Sequence, residues 1–258
     1  ISYGVASLMS QLYTRSGHLF VKWWLGETAL GLYSAAVRFV ELVFGFVGII
    51  FGLLMPRLAL LSLDIKRRRD LIFLGAGITS VLSMPMAFGC YILSAELIEL
   101  LFGASFKAAT PLLELVSWYF LANSLSSYFC GTVLYALGRH DRYLRATACG
   151  AFLGITLNIA LIPLIGIHGA CIAYVLAQIA TGLTAYLSTR DVVAGIWRQP
   201  FVGKSLCSSI CMMLVLLFIK QFSLNVIAEL LAGVFVYAAC LLIIASKDIK
   251  SIFRAKPS

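Results

Sequence analysis

Residues 13–41 read YTRSGHLFVKWWLGETALGLYSAAVRFVE, two strongly apolar segments joined by the short turn Leu25-Gly26-Glu27-Thr28. Each segment carries charge where a membrane helix ordinarily has none. Arg15, His18 and Lys22 recur at i, i+3 and i+7, within about 60° of one another on a helix of 3.6 residues per turn, so they share a face. On the second segment Arg38 and Glu41 are three residues apart. Counted from Gly31 at ~1.5 Å per residue, they lie roughly 10 and 15 Å into the segment, which is bilayer depth. A charge there costs on the order of 2.5–3.5 kcal/mol on insertion scales, so such side chains face a bundle interior or a watery cavity and are the first candidates for function.

The rest of the chain extends the same pattern. Of its 258 residues 61% are hydrophobic and only 12% charged, and a mean hydropathy of +0.98 is more than a water-facing surface tolerates. The fold class is all-α, a polytopic transmembrane helix bundle. The chain begins at Ile1 with no initiator Met and no cleavable signal ahead of the first helix, and is expected to be a piece of a longer protein. Nucleic-acid binding would need a basic face on a soluble surface; here the cations behind the net charge of +9 stand in short hydrophilic gaps. The seven cysteines, Cys90, Cys130, Cys149, Cys171, Cys207, Cys211 and Cys240, are scattered through apolar runs without metal-like or paired spacing and read as small hydrophobes. No metal or cofactor is expected.

A span of about 20 apolar residues crosses the hydrocarbon core, and the hydrophilic breaks predict eight: 3–25, 31–56, 71–94, 111–137, 144–163, 167–189, 205–222 and 225–246. The transmembrane bundle thus occupies 1–246, with a basic tail at 247–258. Arg57 and Lys66 to Arg69 fall in one gap, Arg139, Arg142 and Arg145 in another, and Arg190, Arg198 and Lys204 in a third. With Lys247, Lys250, Arg254 and Lys256 of the tail, these place fifteen of the twenty cations in alternate gaps. The positive-inside rule puts those gaps, and both ends, in the cytoplasm. Among the opposite gaps, Glu96 to Gly103 reads either as an amphipathic turn at the interface or as an extension of the third span. Asn158 to Pro163, running into Gly166-Ile167-His168-Gly169, predicts a tight reversal between two antiparallel spans. On the second span Glu41, Gly45, Gly48 and Gly52 share one face, which suits either close helix packing or an open cavity wall.

Enzymatic machinery is missing. The outer gaps are short, with only Glu27, Glu96, Glu99 and nearby Glu114, and there is no zinc-protease, nucleophile-elbow or phosphate-loop motif. Without an ATP-binding module, transport would draw on an ion gradient or the substrate's own. What the chain offers is intramembrane cation: Arg15, His18 and Arg38, with Lys22 toward the outer mouth. Guanidinium groups grip phosphate through paired hydrogen bonds, and in a low-dielectric cavity a cation cluster attracts a diphosphate strongly. The plainer alternative is that Arg15 and Arg38 neutralise Glu41 as structural pairs. Asn123, Asn158 and Gln178 read as interhelical hydrogen-bonding residues.

Tyr13-Thr14-Arg15, then Leu25-Gly26-Glu27-Thr28 leading into Gly31-Leu32-Tyr33-Ser34-Ala35-Ala36-Val37-Arg38 with Glu41, then Met55-Pro56-Arg57-Leu58 and the run from Asn158 to Ala173, resemble the polysaccharide-export flippases. These form the O-antigen and teichoic-acid export group of the multidrug/oligosaccharidyl-lipid/polysaccharide superfamily. The resemblance implies the C-terminal lobe of a MATE-like flippase fold, about eight helices of a parent with about fourteen, and alternating access around a cationic cavity. The implied cargo is an undecaprenyl-diphosphate-linked oligosaccharide, moved across a bacterial inner membrane with the help of membrane lipids, a polysaccharide polymerase and other assembly proteins. Arg15, Arg38 and Glu41 match the family pattern, whereas Gly17 stands where the family commonly has an acid and Lys22 where it is usually uncharged. On this reading Arg15, His18, Lys22 and Arg38 bind substrate and Glu41 pairs or couples. A drug or cation exporter of the same superfamily predicts an acid-dominated cavity instead, a membrane-embedded polymerase or ligase a large outer loop, and a scaffold no deep charges beyond paired ones.

Overall fold

The computed structural model describes residues 2–60, 65–193, 195–196, 200–222 and 225–254. Among them there are helices and no strands: α1 (Ser2–Leu60), α2 (Ile65–Ile92), α3 (Ser94–Phe102), α4 (Thr110–Ser117), α5 (Tyr119–Ser126), α6 (His140–Ile165), α7 (Ile167–Val193), α8 (Pro200–Ile219) and α9 (Val226–Arg254). A π-helical segment, Ser127–Leu134, continues α5, and short 3-10 turns occupy Ala104–Ala109 and Lys220–Phe222. Arg198 and Lys256 lie outside the described residues.

The single label α1 hides a reversal. Gly26 sits at φ 83°, ψ −176°, a left-handed backbone that glycine adopts without a Cβ penalty. The Tyr33 ring stands edge-on to His18 with centroids 4.9 Å apart. In a continuous helix residues fifteen apart are about 22 Å apart along the axis, so the two arms of α1 fold back on each other as a hairpin. Among the described residues six helices are long and apolar enough to cross a membrane, and the hairpin is counted among them as one, Arg15–Ile49.

The fourth expected span, 111–137, is the second departure from eight. It is assembled from α4, α5 and the π-segment, with a break at Trp118. Ser124 donates to Phe120 O at 2.6 Å and Ser127 to Asn123 Oδ1 at 3.2 Å, local bonds that compete with a regular ladder. The third gap resolves as a separate helix, α3, which buries Ser94, Leu97 and Ile98 and exposes Leu100 and Leu101. The expected reversal after Pro163 is present: Gly166, at φ 63°, is all that separates α6 from α7. Helix α9 runs on to Arg254, beyond the expected boundary at 246.

Helix α7 is the hub, packed on α6, α5, α4 and α1. Small residues let it approach. A methyl group on Gly150 of α6 would overlap the Thr181 hydroxyl and come within 2.9 Å of the Ala177 carbonyl oxygen, and one on Gly182 would come within 2.8 Å of Leu125 Cγ and Ser126 N. Close backbone contact of this kind drives helix association in lipid, where apolar burial gains nothing. The seven cysteines are free thiols, with Cys90, Cys130 and Cys171 buried as packing groups. At the basic end Arg139 forms a forked pair with Asp191, and Arg142 donates to Ser188 O, so the start of α6 is tied to the end of α7.

Pro85 inside α2 removes the amide that would bond Val81 O four residues earlier. Tyr237 of α9 takes that place: its hydroxyl donates to Val81 O at 2.7 Å. Ser205 of α8 donates to Ser80 O at 3.0 Å, and its oxygen is 2.9 Å from Tyr237 Oη. In hydrocarbon an orphaned carbonyl has no water to turn to, so the α8–α9 hairpin is docked on α2 by a backbone defect.

Two outcomes follow from this packing. Gly150→Ala lowers stability by about 1–3 kcal/mol, whereas Gly48→Ala, with nothing within 4 Å of its new methyl, is neutral or gains up to about 1 kcal/mol; thermal unfolding in detergent distinguishes them. Tyr237→Phe costs about 1–3 kcal/mol, and most of that loss disappears in a Pro85→Ala background, where Val81 O regains its own amide.

Candidate functional site

The hairpin of α1 sets the candidate residues in register. Along the arms from Gly26, at ~1.5 Å per residue, Arg15 stands about 16 Å away, Arg38 about 18 Å and Glu41 about 22 Å. The two arginines are therefore level with each other on neighbouring arms. Both are exposed, as are Leu19, Lys22 and Glu41. On the second arm Val37, Val40, Phe44 and Val47 are buried, while Arg38, Glu41, Gly45, Gly48 and Gly52 form the outward stripe. No atom lies within 4 Å of a methyl built on Gly45, Gly48 or Gly52. Among the described residues the glycines are thus an open face and not a helix-packing seam.

Pairing separates the five candidates. Lys22 reaches across the turn to Glu27 at 2.8 Å, an exposed pair of the kind worth about 0–1 kcal/mol, so it belongs to the turn more than to the arginines. His18 is half-buried against Tyr33. Among the described residues neither Arg15 nor Arg38 has a carboxylate within ion-pair reach. Glu41 instead accepts a hydrogen bond from Tyr174 Oη of α7 at 2.8 Å, so the reading in which the arginines neutralise Glu41 does not hold.

Tyrosines build the floor under this face. Tyr174 stacks on Tyr119 at 4.7 Å between centroids, and Tyr119 meets Phe44 edge-on at 6.1 Å. Tyr33 is wholly buried, and a methyl on Gly17 would lie 2.6 Å from its hydroxyl. At the position where the family pattern has an acid, the space is filled by a phenol from the other arm. None of these aromatic roles was assigned from the sequence, although Tyr33 stands within the motif quoted for the resemblance; Tyr174 lies 133 residues from Glu41, and nothing local announces such a pair.

The lobe also holds a cavity of about 620 Å³, bordered by Thr79, Ser83, Trp118, Tyr128, Val175 and Ile179 among others. None of the five candidates lines it. The hydroxyls of Thr79 and Ser80 bond Gly75 O and Ala76 O in their own helix, at 2.7 and 2.9 Å, so this space is apolar and does not serve a diphosphate. Among the described residues no cluster of three His, Cys, Asp or Glu is placed to hold a metal.

A bundle of apolar helices with charge held at depth on one hairpin is a multi-pass membrane protein. Comparison with known proteins agrees with that class: residues 2–111 match the family described as polysaccharide biosynthesis protein, and the resemblance to polysaccharide-export flippases is upheld. Over 95 residues the chain is 34% identical to the succinoglycan biosynthesis transport protein ExoT of Rhizobium meliloti, covering 36% of this chain and 19% of that protein. It is 26% identical over 236 residues to the probable low-salt glycan biosynthesis flippase Agl15 of Haloferax volcanii, covering 90% of this chain and 49% of the relative. In structure it is similar to the lipid II flippase MurJ in an inward closed conformation, with a TM-score of 0.78, 18% identity, and coverage of 95% of this chain and 53% of that one. This last likeness establishes the fold, a helical bundle equivalent to about half of the larger molecule.

The Tyr174–Glu41 bond is measurable. A double-mutant cycle of Tyr174→Phe and Glu41→Gln, followed by thermal unfolding in detergent, returns a coupling of about 1 kcal/mol.

Proposed function

We propose that this chain supplies the C-terminal lobe of a flippase that moves an undecaprenyl-diphosphate-linked oligosaccharide across the bacterial inner membrane. On this reading its arginine-rich loops and both ends are cytoplasmic. The observation that carries the reading is the level pair Arg15 and Arg38, exposed at bilayer depth with no carboxylate within reach among the described residues. Left against acyl tails, two such charges would cost on the order of 5–7 kcal/mol together. Facing a water-filled passage, they become a receptor for a diphosphate, which guanidinium groups hold bidentately. The open glycines beside them leave room for a bulky head group, and Glu41, tethered by Tyr174, sets the anionic limit of the face. His18 and Lys22 extend the cationic track toward the turn, with Lys22 released from Glu27 when an anion arrives.

The chain spans about half the length of the flippase and of the solved structure it resembles, so the opposite wall of the passage is assigned to residues beyond this chain. The glycan relatives support a transporter; our reading gives it no covalent chemistry of its own and sets it beside a polysaccharide polymerase and the other assembly proteins of the same glycan. Positive charge also outweighs negative on this face, which favours an anionic cargo over the cationic drugs of the wider superfamily.

Arg15→Ala or Arg38→Ala in the full-length protein lowers lipid-linked oligosaccharide transport about 10- to 100-fold, the equivalent of losing one charge-assisted contact of about 1.5–3 kcal/mol. Lysine at either position retains part of the activity. Surface polysaccharide unchanged at normal expression of both alanine variants would remove the arginines from the site.

A further inference from the structure

The tip of the α1 hairpin carries an aromatic face that the diphosphate site leaves unused. Trp23 and Trp24 stand just before the turn at Gly26, and their rings are parallel to within 2°, with centroids 6.3 Å apart. Phe20 stacks on Trp24 at 5.2 Å and 18°. These separations are those of offset aromatic pairs, so the three rings form one broad patch. Trp23 is its open end, 79% exposed. Lys22, the residue before it, pairs with Glu27 at 2.8 Å, which sets an ammonium and a carboxylate at the edge of the patch. At ~1.5 Å and about 100° per residue, Trp23 lies about 12 Å nearer the turn than Arg15 and about 80° around the same arm. Leu19, midway between them, is exposed as well, so one outward face runs from the guanidinium to the indole. An exposed tryptophan near a helix end is ordinarily an interfacial anchor among lipid head groups. Arg15 decides otherwise here: if this face met lipid, the guanidinium two turns deeper would lie against acyl tails, where charge is not tolerated without a watery space or a partner. What Arg15 faces, Trp23 faces.

We propose that Trp23, its ring held by Trp24 and Phe20, is a sugar-binding platform that receives the oligosaccharide part of the cargo; this rests on Arg15 and Arg38 being the diphosphate site. A pyranose ring carries hydroxyls around its rim and a patch of C–H bonds on its face. Those hydrogens are slightly positive and meet the negative face of an indole, while the rim hydroxyls call for hydrogen-bonding groups beside the ring. The hairpin tip supplies both. Glu27 accepts from sugar hydroxyls, and its carboxylate is released for this purpose once Lys22 turns to the anion. A phospholipid head group has no flat C–H face of this kind, so the parallel rings suit a sugar and not a lipid. The ~12 Å between Arg15 and Trp23 divides the work: the diphosphate is held at depth, and a sugar further along the cargo is stacked at the tip. Binding changes no covalent bond.

The test measures binding of two probes to the full-length protein in lipid nanodiscs. One is undecaprenyl diphosphate, which has no glycan, and the other is the lipid-linked oligosaccharide extracted from cells lacking the transporter. The expected result is that Trp23→Leu binds the oligosaccharide-bearing lipid about tenfold more weakly and undecaprenyl diphosphate within about twofold of wild type, whereas Trp23→Tyr keeps most of the preference for the glycan. Fluorine NMR of protein labelled with 5-fluorotryptophan keeps the proposal testable if Trp23→Leu does not fold. The Trp23 signal, assigned by its loss in Trp23→Tyr, shifts with the oligosaccharide-bearing lipid and not with undecaprenyl diphosphate. The proposal is overturned if Trp23→Leu weakens both probes alike or neither, or if the signal moves equally with both; the indole is then an interfacial anchor. Arg15→Ala tests the diphosphate site separately: weakened binding of both probes supports it, and unchanged binding of both removes it, while the Trp23 result still decides the platform.

Discussion

The reversal at Gly26 is the constraint on which the candidate site depends. Because the two arms of α1 return along each other, Tyr33 lands on Gly17 and His18, and the arginines eleven and twelve residues from the turn come level. A side chain at Gly17 would push the arms apart against the Tyr33 hydroxyl, and any other residue at Gly26 would have to adopt a left-handed backbone that L side chains rarely accept. Close packing on one side of the hairpin thereby leaves the charges on the other.

The same logic governs the rest of the bundle. Within hydrocarbon the backbone must find its partners inside the protein, so each irregularity is answered from a neighbouring element. The gap made by Pro85 is filled from α9, the start of α6 is bound to the end of α7 by Arg139 and Asp191, and serine and threonine hydroxyls bond carbonyls of their own helices. The corner where Lys220 meets the end of α2 follows the rule less completely. Lys220 satisfies Ile92 O and one oxygen of Glu96, whose second oxygen has no hydrogen-bond partner among the described residues.

Much of this was legible in the sequence because lipid simplifies the code. Spans expected at 144–163, 167–189 and 205–222 appear as His140–Ile165, Ile167–Val193 and Pro200–Ile219, since the ends of apolar runs mark helix ends where water begins. The turn at Gly26 and the reversal at Gly166 were readable from glycine and proline chemistry. The break at Trp118 and the π-segment were not, for no glycine or proline marks that break and its bonds are set by packing on α7. Charge at depth singled out Arg15, Arg38 and Glu41. Periodicity alone could not say that they turn away from the apolar cavity, that Lys22 is taken up by Glu27, or that the glycine stripe is open. Those facts depend on which helices are neighbours, and Tyr174 acquires its meaning only from a residue more than a hundred positions away.

The junction at Pro85 bears on how such a bundle can move. Proline ordinarily makes a helix pliable, yet here the pliable point is splinted from outside, because flexing α2 at Val81 would tear the carbonyl from Tyr237 and strain the neighbouring Ser205 contact. Helices α2, α8 and α9 accordingly travel as one rigid strut. Any rocking between the two faces of the membrane must run along a different seam, and the α1 hairpin, open along its glycine stripe and joined by a single left-handed residue, is the yielding edge that the architecture provides.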